Sequence, residues 1–198
     1  MRTAPLALLI LSAALATAQD ASIREVGKNP VEAKFASGGQ VRMHLCPSGI
    51  DVLGRDENVL RVSYHAQHHQ DEERDVRVRI ETSSGHADLR VSDCPRNNFR
   101  VTIEVPKNSN LYVRMFAGEL NVRDVTGDKN VELGFGQLNM EVGKADDYGF
   151  VDASVRSGEL DASAFNVEKG GLFRSFSQNG PGKFRLHAHV GAGEIDLR

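Results

Sequence analysis

A five-residue pattern of glycine, polar, apolar, polar and apolar residues recurs along this chain. Glycine adopts turn conformations that other residues reach only at a cost, and strict alternation places every second side chain on the same face of a β-strand. Each copy therefore predicts a turn followed by a half-buried strand. The four closest copies are Gly118-Glu119-Leu120-Asn121-Val122, Gly136-Gln137-Leu138-Asn139-Met140, Gly158-Glu159-Leu160-Asp161-Ala162 and Gly193-Glu194-Ile195-Asp196-Leu197.

The spacing of these glycines predicts a stacked β architecture. The glycines at 118, 136 and 158 are 18 and 22 positions apart, and looser copies begin at Gly39 and Gly85. A unit of about 20 residues that cannot bury its apolar face alone is typical of solenoid repeats. We therefore expect an all-β, single-domain stacked β-solenoid, of the β-helix or β-roll kind, over residues 37–198. An antiparallel β-sandwich is the alternative, because its strands also come at short spacing with turns between them.

Most of the chain outside the repeat copies also alternates in the manner of strands. Residues 65–74 form the most polar stretch and are predicted to be an exposed loop, and no segment carries a convincing helical period. Residues 19–36 lack a clean period and contain Asn29-Pro30, so they are predicted to be a lead-in or a cap over the stack.

The N-terminus has the pattern of an export signal. Residues 6–16 form an apolar run, and Ala16-Thr17-Ala18 matches the small-residue cleavage pattern, so residues 1–18 are predicted to be a signal peptide. The run is shorter than the roughly 20 apolar residues of a membrane-spanning helix, and no second run follows it. We therefore expect no membrane span after cleavage and a periplasmic or extracellular location.

Cys46 and Cys94 are the only cysteines of the chain. Each is followed by proline and comes shortly after a predicted repeat strand, so the two occupy similar places in two copies. An even count in an exported protein indicates a disulfide, and neighbouring coils would bring the two within bridging distance. Neither belongs to a Cys-x-x-Cys pair, so a structural disulfide is favoured over metal or redox chemistry.

The middle and the end of the chain resemble the putative adhesin domains of bacterial exported and envelope proteins. The resemblance covers the chain from about residue 35 to the C-terminus, and it implies a right-turning stack of short strands. It implies no active-site residues. The stretches that carry it are Val101-Thr102-Ile103-Glu104-Val105-Pro106-Lys107, Leu111-Tyr112-Val113, Val125-Thr126-Gly127-Asp128, two of the glycine-led copies, and Gly180-Pro181-Gly182-Lys183-Phe184-Arg185-Leu186 with the final copy.

The outward positions of the repeat form the first candidate ligand surface. If the coils stack in register at about 4.8 Å, these positions form two polar columns, in which Gln137 and Asn139 separate acidic neighbours that would otherwise repel one another. Solvated polar ladders are the favoured interpretation. The alternatives are a strip that contacts carbohydrate or a divalent cation, and a pair of glycosidase carboxylates, for which the absence of Trp leaves no aromatic platform. The columns are Glu119, Gln137, Glu159 and Glu194, and Asn121, Asn139, Asp161 and Asp196.

Five histidines are weak candidates for metal ligands. His65, His68 and His69 lie in the polar loop without a partner at a spacing typical of zinc sites. His187 and His189 alternate onto the outer face of a predicted strand, where such a pair can chelate a metal or respond to pH. Solvated surface positions are favoured for both groups, and no metal or cofactor is predicted.

The sequence contains no recognisable catalytic or nucleotide-binding motif. Its Ser-Gly pairs lack the context of a nucleophile elbow, and its glycine-rich pieces precede no helix. A formal net charge of −3 without a clustered basic face gives no reason to expect nucleic acid as a partner. The last repeat strand is predicted to be an uncovered edge that can pair with another copy or a partner, although its charged residues oppose such pairing.

These patterns together predict a non-catalytic, exported scaffold or binding domain of the adhesin kind. A cell-envelope protein or polysaccharide is the expected partner. A carbohydrate-active enzyme that uses the outward carboxylates, and a periplasmic metal-binding protein, are the alternatives.

Overall fold

The computed structural model describes residues 21–66, 70–95 and 98–198, except for the side chains of residues 70–72. Strands make up most of these ranges, so the chain is all-β, as its sequence predicts. The predicted signal peptide lies outside the described residues.

Thirteen strands and three short 3₁₀ turns make up the regular structure of the described ranges. The 3₁₀ turns are Gln70–Asp75, Ala145–Asp147 and Ser163–Phe165. The strands are β1 (Ala21–Val26), β2 (Val31–Lys34), β3 (Gln40–Leu45), β4 (Ser48–Arg55), β5 (Val59–Ala66), β6 (Arg77–Ser83), β7 (His86–Ser92), β8 (Phe99–Pro106), β9 (Asn110–Arg123), β10 (Lys129–Met140), β11 (Tyr148–Ala162), β12 (Val167–Asn179) and β13 (Phe184–Leu197).

Four long strands bend at the glycines of the repeat. Each of these glycines lies inside a continuous strand and has a φ between +124° and +143°, a conformation that other residues rarely adopt. The bend gives the two parts of a strand different neighbours, since residues 110–115 of β9 pair with β3 and residues 118–123 pair with β4. The sequence predicted a turn in front of each strand, whereas the glycine is a bend within it. The bends are at Gly118 in β9, Gly136 in β10, Gly158 in β11 and Gly193 in β13.

Two pairs of shorter strands follow the same bent path. β3 and β4 pair in parallel with successive parts of β9, and β7 and β8 pair in parallel with β3 and β4. The chain changes direction at Cys46-Pro47, between β3 and β4, and Ser48 lies opposite Gly118. Between β3 and β4 the residues Cys46 and Pro47 therefore occupy the position at which the longer strand β9 bends.

Cys46 and Cys94 form the predicted disulfide, with their Cα atoms 6.1 Å apart. They follow β3 and β7, which are parallel neighbours with His44 opposite Arg90. The bond therefore joins equivalent ends of two adjacent strands, and the prediction of a disulfide is confirmed.

Removing this disulfide should lower the free energy of unfolding by up to about 4 kcal/mol. The two cysteines are 48 positions apart, so the unfolded chain regains the entropy of a long loop. Urea denaturation of the Cys46→Ala/Cys94→Ala variant measures the loss, and the reduced wild-type chain is the control. A loss below about 1 kcal/mol would contradict the expected contribution.

β13 lies between β10 and β11, although it is the last described strand in the sequence. It pairs in parallel with β10 on one side and with β11 on the other, so the order across this part of the sheet is β9-β10-β13-β11-β12. The prediction that the last repeat strand is an open edge is therefore wrong, and self-association through it has no free edge to use. Along the sequence β11 and β12 come before β13, and the chain then returns to place β13 beside β10. The edge on this side is β12, which pairs with β11 within the described residues.

Antiparallel pairs flank the parallel strands and make the sheet mixed. The pairs β1–β6, β6–β7, β2–β5, β5–β8 and β11–β12 are antiparallel. β1 and β12 end the main path of the sheet, which does not close within the described residues. A regular solenoid is therefore not established, and a sandwich-like arrangement is compatible with the same pairs. The predicted lead-in, residues 19–36, contains β1 and β2.

The apolar residues of the repeat form the core, as their alternation predicts. All eight are at most 2% exposed, and they lie in a cluster that runs through the whole described chain. The looser copies differ: Gly85 lies in the turn between β6 and β7, and Gly39 precedes β3, so neither marks a bend within a strand. The eight buried residues are Leu120, Val122, Leu138, Met140, Leu160, Ala162, Ile195 and Leu197.

Candidate functional site

The outward side chains of the repeat form the two predicted columns, but in a different order. Gln137 lies opposite Glu119 on one side and Glu194 on the other, and Glu159 lies beyond Glu194. Because β13 separates β10 from β11, the acidic residues at the end of each column are adjacent. The expectation that neutral residues separate the acidic neighbours is therefore wrong at this end. The second column runs Asn121, Asn139, Asp196 and Asp161.

Asp51 extends the second column at its other end. β4 pairs with β9, which places Asp51 opposite Asn121, and the Asp51 side chain is only 11% exposed. One carboxylate oxygen accepts a hydrogen bond from the Asn121 amide at 3.0 Å, and the other accepts one from Arg100 at 3.0 Å. Asn139 in turn donates to the Asn121 side-chain oxygen at 2.8 Å. A carboxylate and two amides thus form one hydrogen-bonded row across β4, β9 and β10.

Arginines neutralise the two nearly buried carboxylates of this column. The hydrogen bond from Arg100 to Asp51 raises the pKa of the guanidinium above its ordinary value. Arg123 lies 3.4 Å from the same carboxylate. Further along the column Arg198 binds both oxygens of Asp196, whose side chain is 4% exposed, with an Nε to Oδ1 distance of 2.9 Å. Each carboxylate therefore has the charged partner that burial requires.

These side chains line a groove of about 640 Å³. Its walls combine amide and guanidinium donors with carboxylate acceptors, and the hydrogen bonds between them fix their positions. Such a set suits the hydroxyl groups of a polar ligand. We call it the polar groove and define it by Asp51, Arg100, Asn121, Arg123, Gln137, Asn139, Asp196 and Arg198.

Glu104 on β8 is a further carboxylate that arginines hold in its charged form. It accepts hydrogen bonds from Arg55 at 2.9 Å and from Arg61 at 2.7 Å. The hydrogen bond from Arg55 has the largest effect, and together with that from Arg61 it lowers the pKa of Glu104 below its ordinary value. A glycosidase needs a carboxylic acid whose pKa is raised so that it can protonate the leaving group, and this arrangement does the opposite.

The candidate histidines that the structure describes do not converge on a common point. Nδ1 of His187 lies 2.9 Å from a carboxylate oxygen of Asp152, and Nδ1 of His189 lies 2.9 Å from the hydroxyl of Ser154. His65 lies 3.7 Å from the Glu73 carboxylate, whereas His68 and His69 lie outside the described residues. Within the described ranges, no group of three His, Cys, Asp or Glu side chains is arranged to hold a metal ion.

Lys129 is a buried titratable group outside the polar groove. It stands between Leu111 and Leu186 of the neighbouring strands and is 1% exposed. Its Nζ donates to the Tyr148 hydroxyl at 2.5 Å and to the carbonyl oxygen of Gly127 at 3.3 Å. Burial lowers the pKa of Lys129 to about 8, against the opposing charges of Asp128 and Asp147, and burial also raises the pKa of Tyr148.

Sequence reasoning missed Asp51, although a signal for it was present. Residues 48–52 read Ser-Gly-Ile-Asp-Val, which repeats the alternation of Gly118-Glu119-Leu120-Asn121-Val122 with serine in place of the first glycine. No pattern in the sequence indicated that Phe116 and Phe135 would meet at the surface, where their ring centroids are 5.5 Å apart. An exposed aromatic pair is therefore present despite the absence of Trp.

Comparison with known proteins identifies a structural neighbour of low sequence identity. A crystal structure described as a "putative cell adhesion protein" from Clostridium sporogenes aligns with a TM-score of 0.51 and 15% identity, over 90% of this chain and 99% of that chain. No protein-family profile and no curated protein matches the chain. Likeness at this identity shows a shared fold. Among the described residues, no helix is long and apolar enough to cross a membrane.

Proposed function

We propose that this chain is a non-catalytic, exported, adhesin-like domain that binds a polysaccharide or protein of the cell envelope through the polar groove. The observation that carries the proposal is the row Asp51–Asn121–Asn139, whose hydrogen bonds cross three strands. Side chains fixed in this way lose little conformational entropy when a ligand binds.

Two features support the export and the adhesin-like role. The disulfide is typical of an oxidising compartment. The structural neighbour carries the description "putative cell adhesion protein", and the fold is shared with it. We further interpret the bent strands as coils of a solenoid, which would repeat the polar columns at regular intervals along an extended ligand.

Binding is favoured over catalysis at three carboxylates of this face, because arginines hold them. Asp51, Glu104 and Asp196 each have a guanidinium partner within hydrogen-bond distance. A glycosidase needs one carboxyl group free to donate a proton and another free to attack or to activate water. The hydrogen bonds of the groove instead suit recognition of a ligand that is left unchanged.

The proposal predicts saturable binding that depends on the neutral amides of the groove. The purified, processed chain should bind at least one of peptidoglycan, envelope polysaccharide or cell-surface protein extract. The Gln137→Ala/Asn139→Ala variant should weaken that binding about thirtyfold, since two lost hydrogen bonds at about 1 kcal/mol each cost about 2 kcal/mol. Surface plasmon resonance against each immobilised class measures the effect.

A matched control is the Gln178→Ala/Asn179→Ala variant, which removes two exposed amides from β12, outside the groove. It should bind as the wild-type chain does. Equal binding by both variants would remove the polar groove from the proposal. Absence of binding to all three classes would remove the proposed function itself.

A further inference from the structure

A second cleft lies on the outer side of the strand bends, and its residues differ from those of the polar groove. Its volume is about 590 Å³. We call it the corner cleft and define it by Phe116, Phe135, Gly134, Gly191, Arg156 and His189. Its aromatic wall, its backbone floor and its charge each restrict what it can bind.

The aromatic wall is formed by two phenylalanines that do not pack into the core. Phe116 is 68% exposed and Phe135 is 53% exposed. Their ring centroids are 5.5 Å apart with an interplanar angle of 67°, which is an edge-to-face contact. This apolar surface faces solvent and lies outside the core cluster, so it is available to contact a ligand.

The floor of the corner cleft is bare backbone. Gly134 and Gly191 lie side by side on β10 and β13. A Cβ at Gly191 would lie within 3.0 Å of the Gly134 carbonyl oxygen, and a Cβ at Gly134 would lie equally close to that of Phe116. No side chain fits at either position, so the floor stays open to a flat ligand that rests beside the aromatic wall.

The charge of the corner cleft comes from Arg156 on β11. Arg114 and Glu132 neutralise one another at 3.1 Å, and His189 is held by Ser154 at 2.9 Å. Arg156 is exposed, and no carboxylate or carbonyl oxygen of the described residues is hydrogen-bonded to it. The cleft therefore presents an unneutralised guanidinium, and a carboxylate is the group that such a fork binds best.

The pairing of the strands beneath the cleft excludes a peptide that binds as an added strand. β9, β10, β13 and β11 each have a strand partner on both sides. A peptide added as a strand needs an unpaired backbone edge, and the cleft has none. A sugar ring instead needs an aromatic face and a few side-chain partners, and these are what the corner cleft contains.

We propose that the corner cleft binds an acidic carbohydrate through one hexuronic acid residue. The face of the sugar ring lies against Phe135, and its carboxylate pairs with Arg156. His189 and Glu132 lie at the same cleft and supply partners for the ring hydroxyls. This site is independent of the polar groove, which binds its ligand on the other part of the bent strands.

Isothermal titration calorimetry of the purified chain with tetragalacturonic acid tests the proposal. The fully methyl-esterified tetramer is the matched ligand, because it keeps the ring faces and removes the charge. We expect the acid to bind with a Kd below about 1 mM and the ester to bind about tenfold more weakly. Arg156→Gln should weaken binding of the acid about tenfold, and Phe135→Ala should weaken it about three- to tenfold.

An exposed residue outside the cleft provides a control variant. Arg185→Gln removes another guanidinium and should not change the affinity. The proposal is overturned if the acid shows no saturable binding, or if the acid and the ester bind equally. It is also overturned if the cleft binds an acidic peptide in place of the sugar. The Gln137→Ala/Asn139→Ala variant should bind the acid unchanged, so failure at the polar groove and failure here are distinguishable.

Discussion

Replacing Gly136 by alanine should lower the free energy of unfolding by about 3 kcal/mol or more. Gly136 has a φ of +124°, and a Cβ there would lie well inside 3.0 Å of the carbonyl oxygen of Gly118 on the next strand. That oxygen belongs to the backbone, so the clash cannot be relieved by rotating a side chain. The two strands would have to separate at the bend.

Gly85→Ala is the matched control for this variant. Gly85 also has a positive φ, of +76°, but a Cβ there would meet nothing within 4 Å. The cost should therefore be that of the backbone conformation alone, about 1 kcal/mol. Urea denaturation of both variants measures the difference. Equal losses would show that close approach of the strands is not what requires glycine at the bend.

Raising the pH from 8 to 10 should stabilise the chain by about 2 kcal/mol through Lys129. Its pKa is lowered from 10.5 to about 8 in the folded chain, because the ammonium group is buried against Tyr148. In this window the unfolded chain binds a proton that the folded chain does not bind, so the free energy of unfolding rises with pH. Below pH 8 both states are protonated and the dependence ends.

The rise in the free energy of unfolding should end near pH 10 because of two buried tyrosines. Burial raises the pKa values of Tyr148 and Tyr64 above 10, so above that pH the unfolded chain loses protons that the folded chain keeps. That loss opposes the gain from Lys129. Lys129→Met, which keeps the volume and removes the titration, should abolish the rise, whereas Lys34→Met at an exposed position should retain it. A rise that persists in Lys129→Met would assign it to another group.

Alternation along the sequence was sufficient to predict which side chains of the repeat are buried. The period of two is a local property, and residues such as Leu120 and Ile195 follow it without exception. The disulfide could be predicted for a similar reason, since Cys46 and Cys94 follow corresponding strands. In both cases the structural consequence depends on positions that the sequence displays directly.

The order of the strands could not be predicted because it depends on long-range packing. The insertion of β13 between β10 and β11 leaves no local trace, yet it decides that Glu194 lies beside Glu159 and that β12 is an edge. The two binding surfaces depend on this order as well. Arg156 on β11 and Phe135 on β10 belong to one cleft because β13 is the single strand between β10 and β11.

The position of β13 also sets a sequence of events during synthesis. β11 and β12 leave the ribosome before β13, but they have no stable place beside β10 until β13 has arrived to separate them. Pairing between strands that are far apart in the sequence is slow to form, and strand edges that stay unpaired in the meantime are prone to aggregate.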